Sequence, residues 1–189
     1  MINTWFTSDT HFGHKNILEY EKVARPFATI EEMHEVMIDR WNSVVAVNDI
    51  VYHLGDFCFG RHWLAIAKRL KGKKKLVMGN HDTYPTSDYL LHFEKCYGVI
   101  FWRQCILSHV PVHPNGLGAR WFLNVHGHLH SRCVTKWDAE DFNRENFMVK
   151  DPKLKLISDE NYFNVSVEQN NLTPFHSDII MERVKSLRE

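Results

Sequence analysis

Five short apolar runs along the chain each end in side chains of the kinds that bind metals or transfer protons. The runs cover residues 2–7, 50–54, 76–78, 106–107 and 121–125, and the polar side chains that follow them are Asp9, His11, Asp56, Asn80, His81, Asp82, His109, His128 and His130. Functional sites of layered α/β folds are built from the loops at the carboxyl ends of the strands. We therefore expect these side chains to share one site.

Helical patterns separate the runs and predict an α/β layered domain. Residues 29–32 read Thr-Ile-Glu-Glu, a capping box in which the Thr29 side chain accepts the N3 amide and Glu32 reaches back. Apolar residues then recur every three or four positions over residues 30–45, which predicts a helix packed on one face. Residues 63–70 predict a second helix, stopped by Gly72, and residues 177–187 predict a final one. Residues 162–168 resemble a further strand.

The length of 189 residues predicts one domain, spanning residues 1–189. With 44% hydrophobic and 24% charged residues, the chain can bury a sizeable core. Residues 131–161 are polar and irregular, and we interpret them as a surface insertion, or flap, near the site. The 23 basic and 23 acidic side chains balance, which argues against a polycationic nucleic-acid coat.

The sequence also predicts a cytoplasmic protein without a membrane partner. No stretch approaches the ~20 apolar residues of a membrane span, and the N-terminus lacks the features of a signal peptide. The four cysteines are scattered with no CxxC pair, so we expect neither a zinc knuckle nor a disulfide framework. The 13 histidines, many beside Asp, Asn or Gly, indicate metal or acid–base chemistry instead.

Two metal ions held ~4 Å apart can orient a phosphate, neutralise its charge and activate a water. Such a site needs a bridging carboxylate and several neutral nitrogen or oxygen ligands, and the side chains at the ends of the runs are of these types. Taken singly, Asp9-Thr10-His11 and Gly55-Asp56 are also ordinary turn sequences. Their occurrence together in this order is what predicts a dinuclear metal site.

The ordered motifs resemble those of the calcineurin-like metallophosphoesterases. They are Asp9-x-His11, Gly55-Asp56, Gly79-Asn80-His81-Asp82, Ser108-His109 and Gly127-His128-Leu129-His130, and residues 164–168 resemble the last core strand of that family. The resemblance implies a two-sheet β-sandwich flanked by helices. It further implies hydrolysis of a phosphate ester by a hydroxide that bridges two metals, without a covalent enzyme intermediate.

The resemblance also implies a role for each residue. One ion would be held by Asp9, His11, Asp56 and His130, and the other by Asp56, Asn80, His109 and His128, so that Asp56 bridges them. His81 would stabilise the transition state or protonate the leaving group, and Asp82 would orient His81 through a hydrogen bond. We expect two divalent ions, with Mn favoured and Fe, Zn, Ni or Co as alternatives.

Two further residues are candidates for substrate binding. His14 lies three positions after the ligand His11 and either contacts the phosphate or starts a helix, whereas Arg132 follows the last motif and could hold a phosphate. One basic stretch stands out, formed by Lys68, Arg69, Lys71, Lys73, Lys74 and Lys75. We interpret it as a solvated helix end rather than a nucleic-acid track, because no aromatic residues interleave it.

The predicted function is therefore a metal-dependent phosphoesterase acting on a small phosphoester or a nucleotide, with a phosphodiester favoured over a phosphomonoester. A nuclease acting on nucleic-acid ends is an alternative, although nucleic acid is not the favoured partner. Thr83 follows Asp82 where the protein Ser/Thr phosphatases of the family carry Arg after a Glu, which argues against that branch. A non-catalytic metal-binding scaffold is the alternative outside enzymology. The sequence does not indicate an oligomeric state.

Overall fold

The structure is a computed structural model, and it describes residues 2–118, 120–137 and 156–189. These residues form four α-helices, which are α1 (Ile17–Tyr20), α2 (Ile30–Val44), α3 (Thr86–Tyr89) and α4 (Ser177–Ser186). They also form the strands β1 (Thr4–Thr7), β2 (Ile50–His53), β3 (Lys73–Val77), β4 (Lys95–Tyr97), β5 (Ile100–Trp102), β6 (Cys105–Leu107), β7 (Leu123–His126), β8 (Thr135–Trp137), β9 (Leu156–Ser158), β10 (Tyr162–Asn164) and β11 (Phe175–His176).

Two main sheets carry the fold. The first has the order β11-β1-β2-β3-β4, in which β1 to β4 are parallel and β11 pairs antiparallel with β1. The second has the order β10-β7-β6-β5, in which β10, β7 and β6 are parallel and β5 is antiparallel. An isolated bridge between Ser8 and Ser166 joins the chain just after β1 to the chain just after β10. The carboxyl ends of the parallel strands in both sheets therefore meet.

The inner faces of the two sheets pack against each other. Phe6 and Val77 of the first sheet belong to the same buried cluster as Leu107 and Val125 of the second, and none of these four side chains is exposed. Helix α4 closes this cluster with Ile180. Because successive strand residues point to opposite faces, the neighbouring positions in β2 and β3 face outward into a second core.

The second core lies between the first sheet and helix α2. Val51 and Leu76 pack there with Met33, Met37 and Trp41, which recur at the helical spacing predicted from the sequence. The predicted cap by Thr29 is present, since the amide of Glu32 donates to the Thr29 hydroxyl at 3.2 Å, but the Glu32 side chain reaches back one residue further than predicted and accepts from the Ala28 amide at 3.1 Å. The predicted α/β fold with two sheets flanked by helices is confirmed.

Two predicted elements differ from those observed. The helix predicted over residues 63–70 is a 3-10 helix, Arg61–Arg69, which buries Leu64, Ile66 and Ala67. The strand predicted over residues 162–168 ends at Asn164, whose side-chain oxygen accepts from the Ser166 amide at 2.9 Å. This local turn stops the strand, and a 3-10 helix over Val167–Asn170 follows.

The predicted insertion over residues 131–161 is described at its two ends only. Strands β8 and β9 pair antiparallel there, and the residues between them, 138–155, lie outside the described residues. Its role as a flap stays a prediction. Among the helices that the structure describes, none is long and apolar enough to cross a lipid bilayer.

Candidate active site

Five loops, each of which follows a parallel strand, bring the predicted ligands together. These loops come after β1, β2, β3, β6 and β7, and the polar side chains that they place side by side are Asp9, His11, Asp56, Asn80, His109, His128 and His130. The residues span more than a hundred positions of the chain but occupy one edge of the sandwich. The structure therefore brings the seven predicted ligands together, and their role in binding metal stays a prediction.

Asp9 is the centre of one group of donor atoms. Its Oδ1 lies 3.9 Å from His11 Nε2 and 3.8 Å from His130 Nε2, and ligand atoms of all three residues lie within 4.8 Å of one another. Asp9 and His11 are almost completely buried. The other carboxylate oxygen of Asp9, Oδ2, accepts hydrogen bonds from the His128 amide and the Ser166 hydroxyl, both at 2.9 Å. These bonds fix the direction of Oδ1.

Asp56 links this group to a second one. Its Oδ2 lies 3.5 Å from His11 Nε2 and 3.3 Å from His109 Nε2. Asp9, Asp56 and His109 also bring ligand atoms within 4.8 Å of one another. The carboxylate of Asp56 thus stands between imidazoles that come from the two different sheets.

Asn80 completes the second group. Its side-chain oxygen lies 2.9 Å from His109 Nε2 and 2.9 Å from His128 Nδ1. His109 Nδ1 lies 2.7 Å from the carbonyl oxygen of Leu54, and since a carbonyl only accepts, this nitrogen carries a proton and donates. Nε2 of His109 is thereby directed at the site, as a metal ligand requires.

The donor set fits divalent metal ions. Asp9 Oδ1 and His11 Nε2 are buried and have no hydrogen-bond partner in the part of the chain that the structure describes. Buried polar atoms are ordinarily paired, so two unpaired atoms aimed at the same point indicate a group that binds between them. Carboxylate, imidazole and amide oxygen donors suit Mn, Fe, Co, Ni and Zn.

The electrostatics of the site favour a neutral His11 and an ionised Asp56. Burial lowers the pKa of His11 to about 2, so its ring is neutral and can act as a ligand. Burial raises the pKa of Asp56, but the hydrogen bond and charge of His109 outweigh it and bring that pKa down to about 2. Burial lowers the pKa of His109, but its bond to Asp56 and the nearby carboxylates raise it to about 9. Metal binding at His109 therefore competes with a proton.

Most of the predicted ligands have an unusual backbone conformation. Among the described residues, eight that are not glycine have a positive φ between 48° and 69°, and five of these eight are predicted ligands. They are Asp9, His11, Asp56, His128 and His130. The left-handed region is unfavourable for residues with a Cβ and is found preferentially at functional sites. Each strand here turns sharply at its end, which aims the side chain back at the site.

Gly79 and Gly127 allow the loops to approach closely enough. A Cβ on Gly79 would lie 2.2 Å from Asp56 Oδ1, and one on Gly127 would lie 2.5 Å from Asp9 Oδ2. Both distances are too short for a carbon and an oxygen. The glycines preceding Asn80 and His128 therefore give the backbone room beside the carboxylates.

Asp82 occupies a different position from the one predicted. It does not hydrogen-bond to His81; its oxygens accept from the backbone amides of Asp56 at 2.7 Å, Phe57 at 3.1 Å and Gly79 at 2.8 Å. The reason is geometric, because the carboxylate is buried beneath the loops whereas His81 is exposed above them. The prediction that Asp82 orients His81 is wrong, and its side chain instead fixes the loop that carries Asp56.

His81 stands at the open side of the site. Its amide donates to Asp56 Oδ1 at 2.8 Å, which holds the residue beside the central carboxylate. Its exposed ring lies 5.5 Å from the ring of His11. The His14 ring lies 5.3 Å from His11 on the same side. Both histidines therefore lie beside the donor cluster, and their predicted roles toward a bound substrate stay predictions.

A cavity of about 660 Å³ opens beside these histidines. His11, His14, His81 and His130 line it on the side of the donor cluster, together with Arg132. Arg132 was predicted as a substrate contact, and the structure places it at this cavity. A phosphate ester bound at the donor cluster would thus extend into this cavity.

The sequence did not reveal two residues that hold His130 in place. Glu168 Oε1 lies 2.9 Å from His130 Nδ1, and Arg25 donates to the same oxygen through Nε at 2.8 Å and Nη2 at 2.5 Å. The side chains of Arg25 and Glu168 are not exposed at all. A carboxylate acceptor fixes which nitrogen of the imidazole is protonated, so Nε2 of His130 is left facing Asp9.

Arg25 also ties this pair to the backbone of the first motif. Its guanidinium donates to the carbonyl oxygens of Asp9 at 2.5 Å and Thr10 at 3.1 Å. Burial raises the pKa of Glu168, but the charge of Arg25 and the bond to His130 outweigh it and keep that pKa low. Residues 164–168 stood out in the sequence, but nothing local pairs Glu168 with an arginine 143 positions away.

Comparisons with known proteins identify the family of the chain. The family described as calcineurin-like phosphoesterase matches residues 2–186. The uncharacterized protein MJ1445 of Methanocaldococcus jannaschii is 31% identical over 189 residues, which cover 98% of this chain and 93% of that protein. The Gene 66 protein of Mycobacterium phage L5 is 40% identical over 87 residues, which cover 43% of this chain and 41% of its own.

The solved structures show the same fold. The crystal structure of the protein of unknown function AQ665 from Aquifex aeolicus superimposes with a TM-score of 0.67 at 26% identity, covering 96% of this chain and 99% of that one. The match to the family extends over nearly the whole chain and includes every strand-end loop described above. The chain therefore belongs to the calcineurin-like phosphoesterases, and the activity of its class is the metal-dependent hydrolysis of phosphate esters.

Proposed function

We propose that the protein hydrolyses a small phosphodiester with the help of two divalent metal ions, most suitably Mn²⁺. One observation carries the dinuclear proposal: the Asp56 carboxylate lies between imidazoles of both donor groups, 3.5 Å from His11 Nε2 and 3.3 Å from His109 Nε2. A single carboxylate between two sets of nitrogen donors is the arrangement that a pair of ions needs.

The donors divide into two sets that share Asp56. Asp9, His11 and His130 form one set, and Asn80, His109 and His128 form the other. Only two of these seven residues are carboxylates, so two divalent ions would keep a net positive charge for a phosphate. The described cysteines take no part in either set, which favours hard or borderline metals over thiolate-seeking ones.

The ions, when bound, supply the positive charge that neutralises the phosphate and that acidifies the attacking water. The side chains of this protein would protonate the departing oxygen and position the loops. His81 stands at the open side and would deliver a proton to the departing oxygen, because no ligand role occupies its ring. Asp82 and Gly79 keep the loops of Asp56 and Asn80 in register beneath it.

The charges around the cavity favour a diester over a monoester. A diester carries one negative charge at neutral pH, whereas a monoester carries nearly two. The cavity is lined by a single arginine, Arg132, and also by a carboxylate, Glu21. A cavity that extends beyond the donor cluster can also hold the second ester group, which a monoester lacks.

The test compares two nitrophenyl esters after metal removal and reconstitution with Mn²⁺. We expect faster turnover of bis(p-nitrophenyl) phosphate than of p-nitrophenyl phosphate, with Fe²⁺, Co²⁺, Ni²⁺ and Zn²⁺ assayed in parallel. Asp56→Asn should lose metal and nearly all turnover, while Asp39→Asn, the same change at an exposed site on α2, should retain both. Full activity of Asp56→Asn would refute the dinuclear arrangement, and bound metal without turnover of either ester would favour the non-catalytic scaffold.

His81 is tested separately. We expect His81→Ala to bind the same number of metal ions, measured by elemental analysis. If the imidazole acts as the general acid, the variant should turn over a phosphodiester with an alcohol leaving group ~10²–10⁴-fold more slowly, with a smaller loss for bis(p-nitrophenyl) phosphate. The loss should be smaller for an ester whose leaving group is more acidic, since such a group needs less protonation. An unchanged rate with all esters would remove His81 from the mechanism.

A further inference from the structure

A row of aromatic rings runs along the cavity beside the donor cluster. The rings of Tyr20 and His14 lie 6.0 Å apart, those of His14 and Phe59 lie 4.5 Å apart and nearly parallel, and those of Phe59 and His81 lie 5.3 Å apart. All four residues line the cavity. The rings of His14 and His81 both lie beside His11, Phe59 contacts both of them, and Tyr20 contacts His14.

Two of these rings present unusually large apolar surfaces to solvent. Phe59 is 44% exposed and Tyr20 is 70% exposed. The exposure of Phe59 is fixed by its backbone, because its amide donates to the carbonyl of Phe12 at 2.7 Å and the preceding residue bridges to Phe12. One face of the Phe59 ring packs nearly parallel to His14, and the part of the ring that remains exposed is a surface on which another flat group can stack.

We infer that this cavity binds the nucleoside of a nucleoside phosphodiester, with the base stacked against Phe59 and Tyr20. The inference rests on the proposed function and names its substrate class. The cavity volume of about 660 Å³ lies within the range of ~300–1,000 Å³ typical of small-molecule sites. The carboxylate of Glu21 and the hydroxyl of Ser131, at the same cavity, can pair with the hydroxyl groups of a sugar.

The charges around the cavity favour one nucleoside over a nucleic-acid strand. A strand is held by several cations that follow its phosphates, but Arg132 is the one cationic residue among the described residues that line the cavity. The basic stretch at residues 68–75 is engaged locally: Lys74 donates to the carbonyl oxygens of Leu70 at 2.7 Å and Gly72 at 3.0 Å, and Arg69 pairs with Glu35. Two of its six basic side chains are therefore already bound to groups of the protein itself.

The test uses two diesters with the same leaving group, the p-nitrophenyl ester of thymidine 5′-phosphate and methyl p-nitrophenyl phosphate. Stacking of one base contributes ~1–3 kcal/mol, so we expect kcat/KM for the thymidine ester to exceed that for the methyl ester by ~5–150-fold. Phe59→Leu and Tyr20→Ser should each reduce this ratio. Val23→Ser should leave it unchanged, because Val23 is 96% exposed but does not line the cavity.

The outcomes separate this inference from the proposed function. Equal kcat/KM for both esters in an active enzyme would refute the nucleoside site and leave the phosphodiesterase intact. If neither ester is hydrolysed, calorimetric binding of thymidine 5′-phosphate that Phe59→Leu weakens would support the site and refute the activity. Preference for longer oligonucleotides with a steep loss of affinity in salt would overturn the inference in favour of a nucleic-acid strand.

Discussion

The buried pair of Arg25 and Glu168 should be one of the largest single contributors to stability near the site. Arg25→Met keeps the length of the side chain but leaves the Glu168 carboxylate buried without its cation. Removing one partner of a buried ion pair destabilises a protein by ~3–5 kcal/mol, because the remaining charge has lost its solvation as well as its partner. Both side chains here are completely buried, and Arg25 also donates to two backbone carbonyls, so we expect a value within that range.

Arg69 provides a matched control. It makes two hydrogen bonds to Glu35, at 2.7 Å and 2.5 Å, but the two side chains are 50% and 57% exposed. Exposed ion pairs contribute only ~0–1 kcal/mol, since water solvates each charge when the other is removed. Arg69→Met should therefore change stability several-fold less than Arg25→Met.

The assay is urea unfolding of the metal-free protein at neutral pH, followed by circular dichroism. With a urea slope of ~2–3 kcal/mol per molar, Arg25→Met should lower the unfolding midpoint by ~1–2.5 M. The double variant Arg25→Met/Glu168→Gln should recover part of this loss because it removes the unpaired charge. Equal effects of Arg25→Met and Arg69→Met, or no recovery in the double variant, would refute the reasoning from burial.

Three further results are expected. Glu168→Gln should fold and bind metal ~10–100-fold more weakly by titration calorimetry, because it weakens the acceptor that fixes a ligand; unchanged affinity would contradict this. Gly79→Ala should lose metal binding, since its Cβ would meet Asp56, while Gly98→Ala, with nothing within 4 Å, should not. Burial lowers the pKa of His34 to about 4, from its usual value of 6.5 in the unfolded chain. As the pH falls below 6.5, the unfolded chain therefore binds a proton that the folded protein does not, and about 2 kcal/mol of the unfolding free energy should be lost by pH 5. His34→Gln should flatten that part of the curve of unfolding free energy against pH.

The features predicted best from the sequence were those that local sequence patterns determine. The cap by Thr29, the helical spacing of α2 and the polar residues at the strand ends each depend on a few neighbouring positions. The clustering of these residues was predictable because parallel strands bring their carboxyl ends to one edge, whereas their division between two ions was implied by the resemblance to the family.

The features that were missed depend on contacts between distant segments. Asp82 follows His81 directly, which suggested that the two interact, but the carboxylate instead accepts amides from two separate loops. Arg25 lies in a stretch with no polar pattern, and its partner Glu168 is reached only after both sheets have formed. The end of β10 at Asn164 likewise follows from one side-chain turn inside an otherwise strand-like run.

The left-handed backbone at the ligands has a consequence for laboratory evolution of this protein. At five predicted ligand positions the chain holds a left-handed conformation that glycine adopts more readily than aspartate or histidine does. Selection for heat resistance alone would therefore accept glycine where the donor atoms now stand, and the most heat-resistant variants would be inert. A screen must therefore select for turnover and for heat resistance together, because substitutions at this edge of the sandwich that increase one are expected to decrease the other.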